Sequence, residues 1–180
     1  LYKEIELPLC EVLASMEHEG FMIDERSLTE FGEDLSAQIE QLKIDIIGLA
    51  GVPFNINSTQ HLADVLFNRL GLPPKKKTKT GYSTDAEVLE SLRPLHPIID
   101  KILEYRQLSK LYSTYVVGLK KCIRPDRRVR STFNQTETRT GRISSLDPNV
   151  QNIPVRTPLG AEMRKFFVAK EGFTLVDADY

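Results

Sequence analysis

The chain has 180 residues, 41% hydrophobic and 27% charged, with a formal net charge of −1. That balance fits one globular domain or two small ones and excludes a disordered chain. No apolar run approaches the roughly 20 residues that a membrane helix needs, and the acidic, amphipathic start LYKEIELPLCEVLASMEHEG is no signal peptide.

Leu9, Val12, Leu13 and Met16 recur at helical spacing and predict a first helix, which Pro8 kinks or delays. Cys10 in this helix and Cys122 are the only cysteines. They lack CxxC spacing and read as unpaired thiols of a reducing compartment. Gly20 ends the helix, and FMID follows as a short extended piece. Asp24 is a candidate N-cap for a second helix, in which Leu28, Phe31, Leu35, Ile39, Leu42 and Ile46 step by three or four. That stripe reads as core, and Gly51 and Pro53 end it.

A third helix starts in NINSTQHLADVLFNRLGLPP. Asn57 with Gln60 resembles a capping box, Ser58 is an alternative cap, and Leu62, Val65, Leu66 and Leu70 form the buried side. The loop KKKTKTGYST carries four lysines and no acid. Such a loop can reach along phosphates, although an ordinary solvated loop has the same composition. Thr84 and Glu87 predict a second capping box. The last long helix, IIDKILEYRQLSKLYSTYVVGLKK, buries Ile98, Ile102, Tyr105, Leu108, Leu111, Tyr112, Tyr115 and Leu119. Arg106, Lys110 and Thr114 step by four on one face, as a strand-binding row or a solvated one.

Near Cys122 the pattern changes to strands. RRVRSTFNQTE alternates, and FFVAKEGFTLVDADY reads as two strands joined by a Lys-Glu-Gly turn. In the second, Leu175, Asp177 and Asp179 face one way. Carboxylates at a strand end suit Mg²⁺ bridged to phosphates, and equally suit a plain surface. Charge is unevenly spread. Residues 1–50 hold three Lys or Arg against twelve Asp or Glu, whereas residues 105–165 hold thirteen against four. The basic stretch attracts polyanions, but charge alone also describes a solvated surface.

Between these regions lies TRTGRISSLDPNVQNIPVR, too polar for a core strand and too broken for a helix. Gly141 permits a turn or a close approach, and Arg142 offers a fork of donors. Asn149, Gln151 and Asn152 can donate to the minor-groove acceptors that all base pairs share, which would grip any paired duplex.

These residues carry a resemblance. TGRISSLDPNVQNIP followed by VDADY is similar to the bacterial DNA polymerase I family, the family A polymerases, with their TGR-x-SS-x-x-PN-x-QNIP block and a strand ending in DYSQIELR. The earlier segments resemble the same family's thumb. The resemblance implies an α+β fold of long antiparallel thumb helices followed by a partial antiparallel palm sheet. Residues 1–24 would lead into the thumb, 25–121 form it with a tip at about 52–96, and 122–180 begin the palm, cut inside the first metal motif.

The resemblance also implies roles. Asp179, with the Tyr180 backbone carbonyl, would bind catalytic Mg²⁺, two ions serving the complete enzyme. Arg142, Asn149, Gln151 and Asn152 would lie at the primer end and its junction with the template. Arg156 would lie near the nucleotide phosphates. Arg106, Lys110, Thr114, Ser58, Thr59, Lys75, Lys76, Lys77 and Lys79 would line the duplex backbone. Asp177 reads as a neighbour of the metal site and not a ligand.

The partners would be primer–template DNA and dNTP, with no membrane, in the bacterial cytoplasm at the nucleoid. The family's fingers helix and second metal-binding aspartate are not in these 180 residues, so the chain alone is expected to bind duplex without extending primers. A non-catalytic duplex-binding module and a helical protein-interaction domain with a basic patch are the alternatives.

Overall fold

Amphipathic helices and very short strands alternate in the computed structural model, which describes residues 1–78, 81–154, 157–176 and 178. A π-helical turn, Tyr2–Glu6, leads into α1 (Leu7–Glu19), β1 (Phe21–Ile23) and α2 (Glu25–Ala50). Next come α3 (Thr59–Ala63) with a π-helical continuation (Asp64–Arg69), β2 (Lys77–Thr78), β3 (Gly81–Tyr82) and α4 (Ala86–Leu92). A 3₁₀ turn (Arg93–Leu95), α5 (Ile98–Leu111), a second π-helical continuation (Tyr112–Val117) and α6 (Gly118–Cys122) follow. The remainder holds β4 (Arg128–Val129), β5 (Thr132–Asn134), β6 (Ser144–Leu146), α7 (Pro158–Arg164) and β7 (Phe167–Val168). No described helix is long and apolar enough to cross a membrane. The chain divides into two compact units, Glu33–Tyr112 and the pair Leu1–Gly32 with Ser113–Tyr180.

The first of these units is helical, and its core follows the apolar stripes. Leu35, Ile39, Leu42 and Ile46 of α2, Leu62 and Leu66, Leu89 and Leu92, and Ile98, Ile102, Tyr105 and Leu108 are all buried. At α3 the alternative of the two expected caps forms, and at α4 the cap differs from the sequence expectation. Ser58, not Asn57, caps α3, its Oγ accepting from the His61 N–H at 3.3 Å. Asn57 Oδ1 instead accepts from the Tyr105 hydroxyl at 3.1 Å. Asp85, not Thr84, caps α4 by accepting from the Val88 N–H at 2.9 Å, because Thr84 is taken by Arg106. Within the expected basic loop β2 and β3 pair antiparallel, with Lys77 opposite Tyr82 and Thr78 opposite Gly81. The Tyr82 ring meets Phe67 edge-on at 5.4 Å, which gives the strand an apolar anchor that the lysines lack.

The other unit joins the two ends of the sequence. Asp24 caps α2 as expected, accepting from the Arg26 and Ser27 N–H groups and the Ser27 hydroxyl. The Ser27 bonds hold its carboxyl below the usual carboxylate value. The sheet order is β4-β1-β7, antiparallel throughout, with Phe21 opposite Val129 and Ile23 opposite Phe167. A separate pair, β5 with β6, sets Phe133 opposite Ser145. The core includes Leu13, Ile23, Leu28, Val116, Val129, Met163 and Phe166, and Phe31 tilts onto Phe166 at 5.1 Å.

Three expectations change here. In α1 only Leu13 of the apolar stripe is buried, while Val12 and Met16 are 53% and 44% exposed. The second strand of FFVAKEGFTLVDADY does not form over residues 173–176. A turn closes at Phe173, whose N–H bonds the Lys170 carbonyl, and Phe173, Leu175 and Val176 stay exposed without a ladder partner among the described residues. The polar block does contain a strand, β6, because β5 supplies its hydrogen bonds and Ser145 alone turns inward.

Candidate nucleic-acid interface

The polar block is braced from within, in the unit that joins the chain ends. Gly141 sits at φ 75°, where glycine turns the chain without strain, and a Cβ there would meet no protein atom within 4 Å. The Thr138 hydroxyl donates to the Arg142 carbonyl across that turn. Asn149 Oδ1 accepts from the Gln151 N–H at 3.1 Å and from the buried Ser145 hydroxyl at 3.3 Å. Gln151 Nε2 donates to the Ile143 carbonyl at 2.8 Å, and the Ser131 hydroxyl to the Pro148 carbonyl at 2.8 Å. The Tyr115 hydroxyl donates to the Asn152 carbonyl. Gly160, in the first turn of α7, lies so close that a Cβ there would overlap the Pro154 carbonyl oxygen.

These contacts sort the four candidate donors. Arg142, Asn149, Gln151 and Asn152 are all exposed on one loop system. Gln151 spends its amide N–H on the scaffold, and Asn149 spends its oxygen there. Among the described residues no partner engages the Arg142 guanidinium, Asn149 Nδ2 or the Asn152 side chain. The arrangement presents donors on a fixed frame, which suits a surface lined by acceptors. Thr114 is exposed in the same unit, one residue before Tyr115.

In the helical unit a cleft of about 850 Å³ is lined by Thr59, Asn57, Gln60, Tyr82, Ser83, Thr84 and Arg106, among others. Arg106 donates to both the carbonyl and the hydroxyl of Thr84. Burial pulls its guanidinium below the ordinary value. It is thus a bracket between α5 and the α4 cap before it is a free cation. Ser58 caps α3, and Lys110, Lys75, Lys76 and Lys77 are exposed. Lys76 lies 3.4 Å from Asp85 on the surface, a contact worth little in water. Asn57, Gln60 and Ser83 join the cleft wall although the sequence does not single them out as contacts. Their signal is the polar clustering of NSTQ and YST on either side of one helix.

Basic charge is also partly consumed by structure. Arg130 donates to the His18 carbonyl at 2.7 Å and pairs with Asp126, and Arg128 donates to the Glu19 carbonyl at 2.9 Å. Lys79, Arg156, Asp177, Asp179 and Tyr180 lie outside the described residues, and the sequence readings of them as backbone, nucleotide and metal contacts gain no geometry here. Among the described residues no group of three or more His, Cys, Asp or Glu side chains is placed to hold a metal ion.

The chain is 52% identical to the thermostable DNA polymerase I of Thermus thermophilus over 183 aligned residues, and 50% identical to DNA polymerase I of Bacillus subtilis over 182. Each alignment covers 100% of this chain but only 22% and 21% of those proteins, so the chain spans about a fifth of their length. Among solved structures it matches the POL domain of Pol1 from M. smegmatis in complex with DNA primer-template and dNTP, with a TM-score of 0.88 and 40% identity, over 95% of this chain and 30% of that one. The family model for DNA polymerase family A matches residues 25–180. With that match across most of its length, the chain belongs to DNA polymerase family A.

Proposed function

We propose that this chain is the duplex-gripping part of a template-directed DNA polymerase. The complete enzyme transfers a nucleotide from dNTP to the primer 3′-hydroxyl and releases pyrophosphate. The observation that carries this reading is the fold shared with a polymerase domain solved with primer-template and dNTP. Residues 25–121 act as the thumb, with its tip at about 52–96, and residues 122–180 as the start of the palm.

Arg142, Asn149 and Asn152 donate to minor-groove acceptors near the primer end, with Gln151 beside them. Lys75, Lys76, Lys77, Lys79, Lys110, Ser58, Thr59 and Thr114 lie along the phosphates, and Arg106 supports them from the cleft wall. Arg156 belongs to the nucleotide phosphates. Asp179 and the Tyr180 carbonyl offer the hard oxygen donors that Mg²⁺ prefers. When bound, Mg²⁺ would activate the primer hydroxyl and stabilise the departing pyrophosphate. One carboxylate is too few for two ions, so the isolated chain binds duplex and does not extend primers.

The test is fluorescence anisotropy of the 180-residue chain with a labelled primer–template across a salt series. Log affinity should fall linearly with log salt, by about 0.9 for each phosphate neutralised, with little dependence on sequence. Absence of binding at low salt, or a flat response, would overturn the assigned grip. Templated incorporation by the isolated chain would overturn the assignment of catalysis to the larger protein.

A further inference from the structure

We propose that Tyr115 is a positioning residue, whose bond to the Asn152 backbone carbonyl sets how the Asn152 side chain is presented beside Arg142. The inference rests on reading residues 142–152 as a groove contact.

The loop's other anchors lie elsewhere. Ser131 holds the Pro148 carbonyl, and Gln151 holds the Ile143 carbonyl. At Asn152 the described contact is Tyr115 alone. Packing supports it on one side only, because an open groove of about 280 Å³ runs between the loop and the helical segment, lined by Tyr115, Leu119, Cys122, Pro148, Val150 and Ile153. Beside an open groove a directed bond holds a carbonyl in place where close packing does not.

Tyr115 suits that task. Its ring is buried, so it has few alternative positions, and its phenol carries the donating proton at neutral pH as any tyrosine does. The carbonyl it holds and the exposed amide of Asn152 belong to one residue, so fixing the first restricts the second. Displacements near 1 Å are enough to spoil such alignment.

The experiment is a double-mutant cycle read by duplex binding. Tyr115→Phe keeps the ring and its packing, and Asn152→Ala removes the exposed amide. Each chain is titrated with a primer–template carrying a normal adenine at the primer end and with one carrying a deaza analogue that lacks the N3 acceptor. The wild-type chain should bind the analogue roughly fivefold more weakly, the scale of one hydrogen bond.

Tyr115→Phe should weaken binding to the normal duplex by a similar factor and should discriminate against the analogue no better than Asn152→Ala does, any discrimination left in both belonging to Arg142 and Asn149. The double variant should bind no worse than Asn152→Ala. A role confined to stabilising the fold would lower the melting temperature and leave discrimination against the analogue intact. Discrimination in Tyr115→Phe that exceeds that of Asn152→Ala, or losses that multiply in the double variant, would overturn the proposal. A wild-type chain indifferent to the analogue would overturn the groove contact itself, and the positioning role with it.

Discussion

The helical unit, residues 33–112, and the unit built from residues 1–32 and 113–180 bury apolar side chains by different means. In the helical unit, α2, α4 and α5 each contribute a repeating stripe, and polar side chains serve mainly as caps, such as Ser58 and Asp85. In the other unit the strands are two or three residues long, too short to hold together by ladder bonds alone. Side chains supply the difference across more than a hundred residues of sequence. Glu17 Oε1 accepts from the Phe133 N–H at 2.6 Å, Arg130 reaches the His18 carbonyl, and Gln135 Nε2 reaches both the carbonyl and the carboxylate of Glu6. One unit is organised by local periodicity, the other by distant polar bonds.

The largest effect should come from the helical core. Ile102 is fully buried, and Ile102→Ala should cost about 2–5 kcal/mol. Chemical denaturation gives the size, and hydrogen exchange should place the loss of protection within residues 33–112. Equal loss at β1 and β7 would erase the distinction between the units.

Next in size is Gly160→Ala in the other unit. The new methyl group must displace the Pro154 carbonyl, a cost of about 1–3 kcal/mol of the kind seen on overpacking. Amide shifts should spread through residues 149–154, whereas a change confined to α7 would show that the polar block is not clamped there.

A smaller effect, of opposite sign, is expected at Arg127. It holds φ 60° in the turn before β4, a conformation that glycine adopts without steric penalty. Arg127→Gly should stabilise by about 0.5–1 kcal/mol in thermal melts, and a destabilised variant would mean that the Arg127 side chain does more than occupy the turn.

The smallest effect concerns Asp85. Its bonds from the Val88 N–H and the Ser83 hydroxyl hold its pKa below the ordinary 3.8. The folded form binds the proton less readily, so this stabilisation is complete above that ordinary value and is lost as pH falls through the lower folded one. Exchange at the Val88 amide should accelerate across that acidic window in the wild-type chain, and Asp85→Asn should flatten the response.

How much is legible in the sequence follows from the same contrast. Leu35, Ile39 and Ile102 are identifiable as core because burial on a helix repeats every three or four residues. The caps slip by one position, since Ser58 and Asn57, or Thr84 and Asp85, are chemically similar and only the tertiary partners Tyr105 and Arg106 decide between them. In the polar block, the donor-rich residues and the turn at Gly141 are legible. The internal use of Gln151 and the bond from Tyr115 are not, because no spacing in the sequence links residue 115 to residue 152. By periodicity Tyr115 is one more member of an apolar stripe.

The central place of β1 has a consequence for how the polypeptide can be divided. The segment recognised as family A polymerase begins at residue 25, yet Phe21–Ile23 is the middle strand of the three-stranded sheet. A truncation guided by that boundary would excise the strand that both β4 and β7 pair with and leave two open edges. Residues 1–24 are therefore better regarded as a complementing fragment, one whose loss should be repairable by supplying it as a separate peptide.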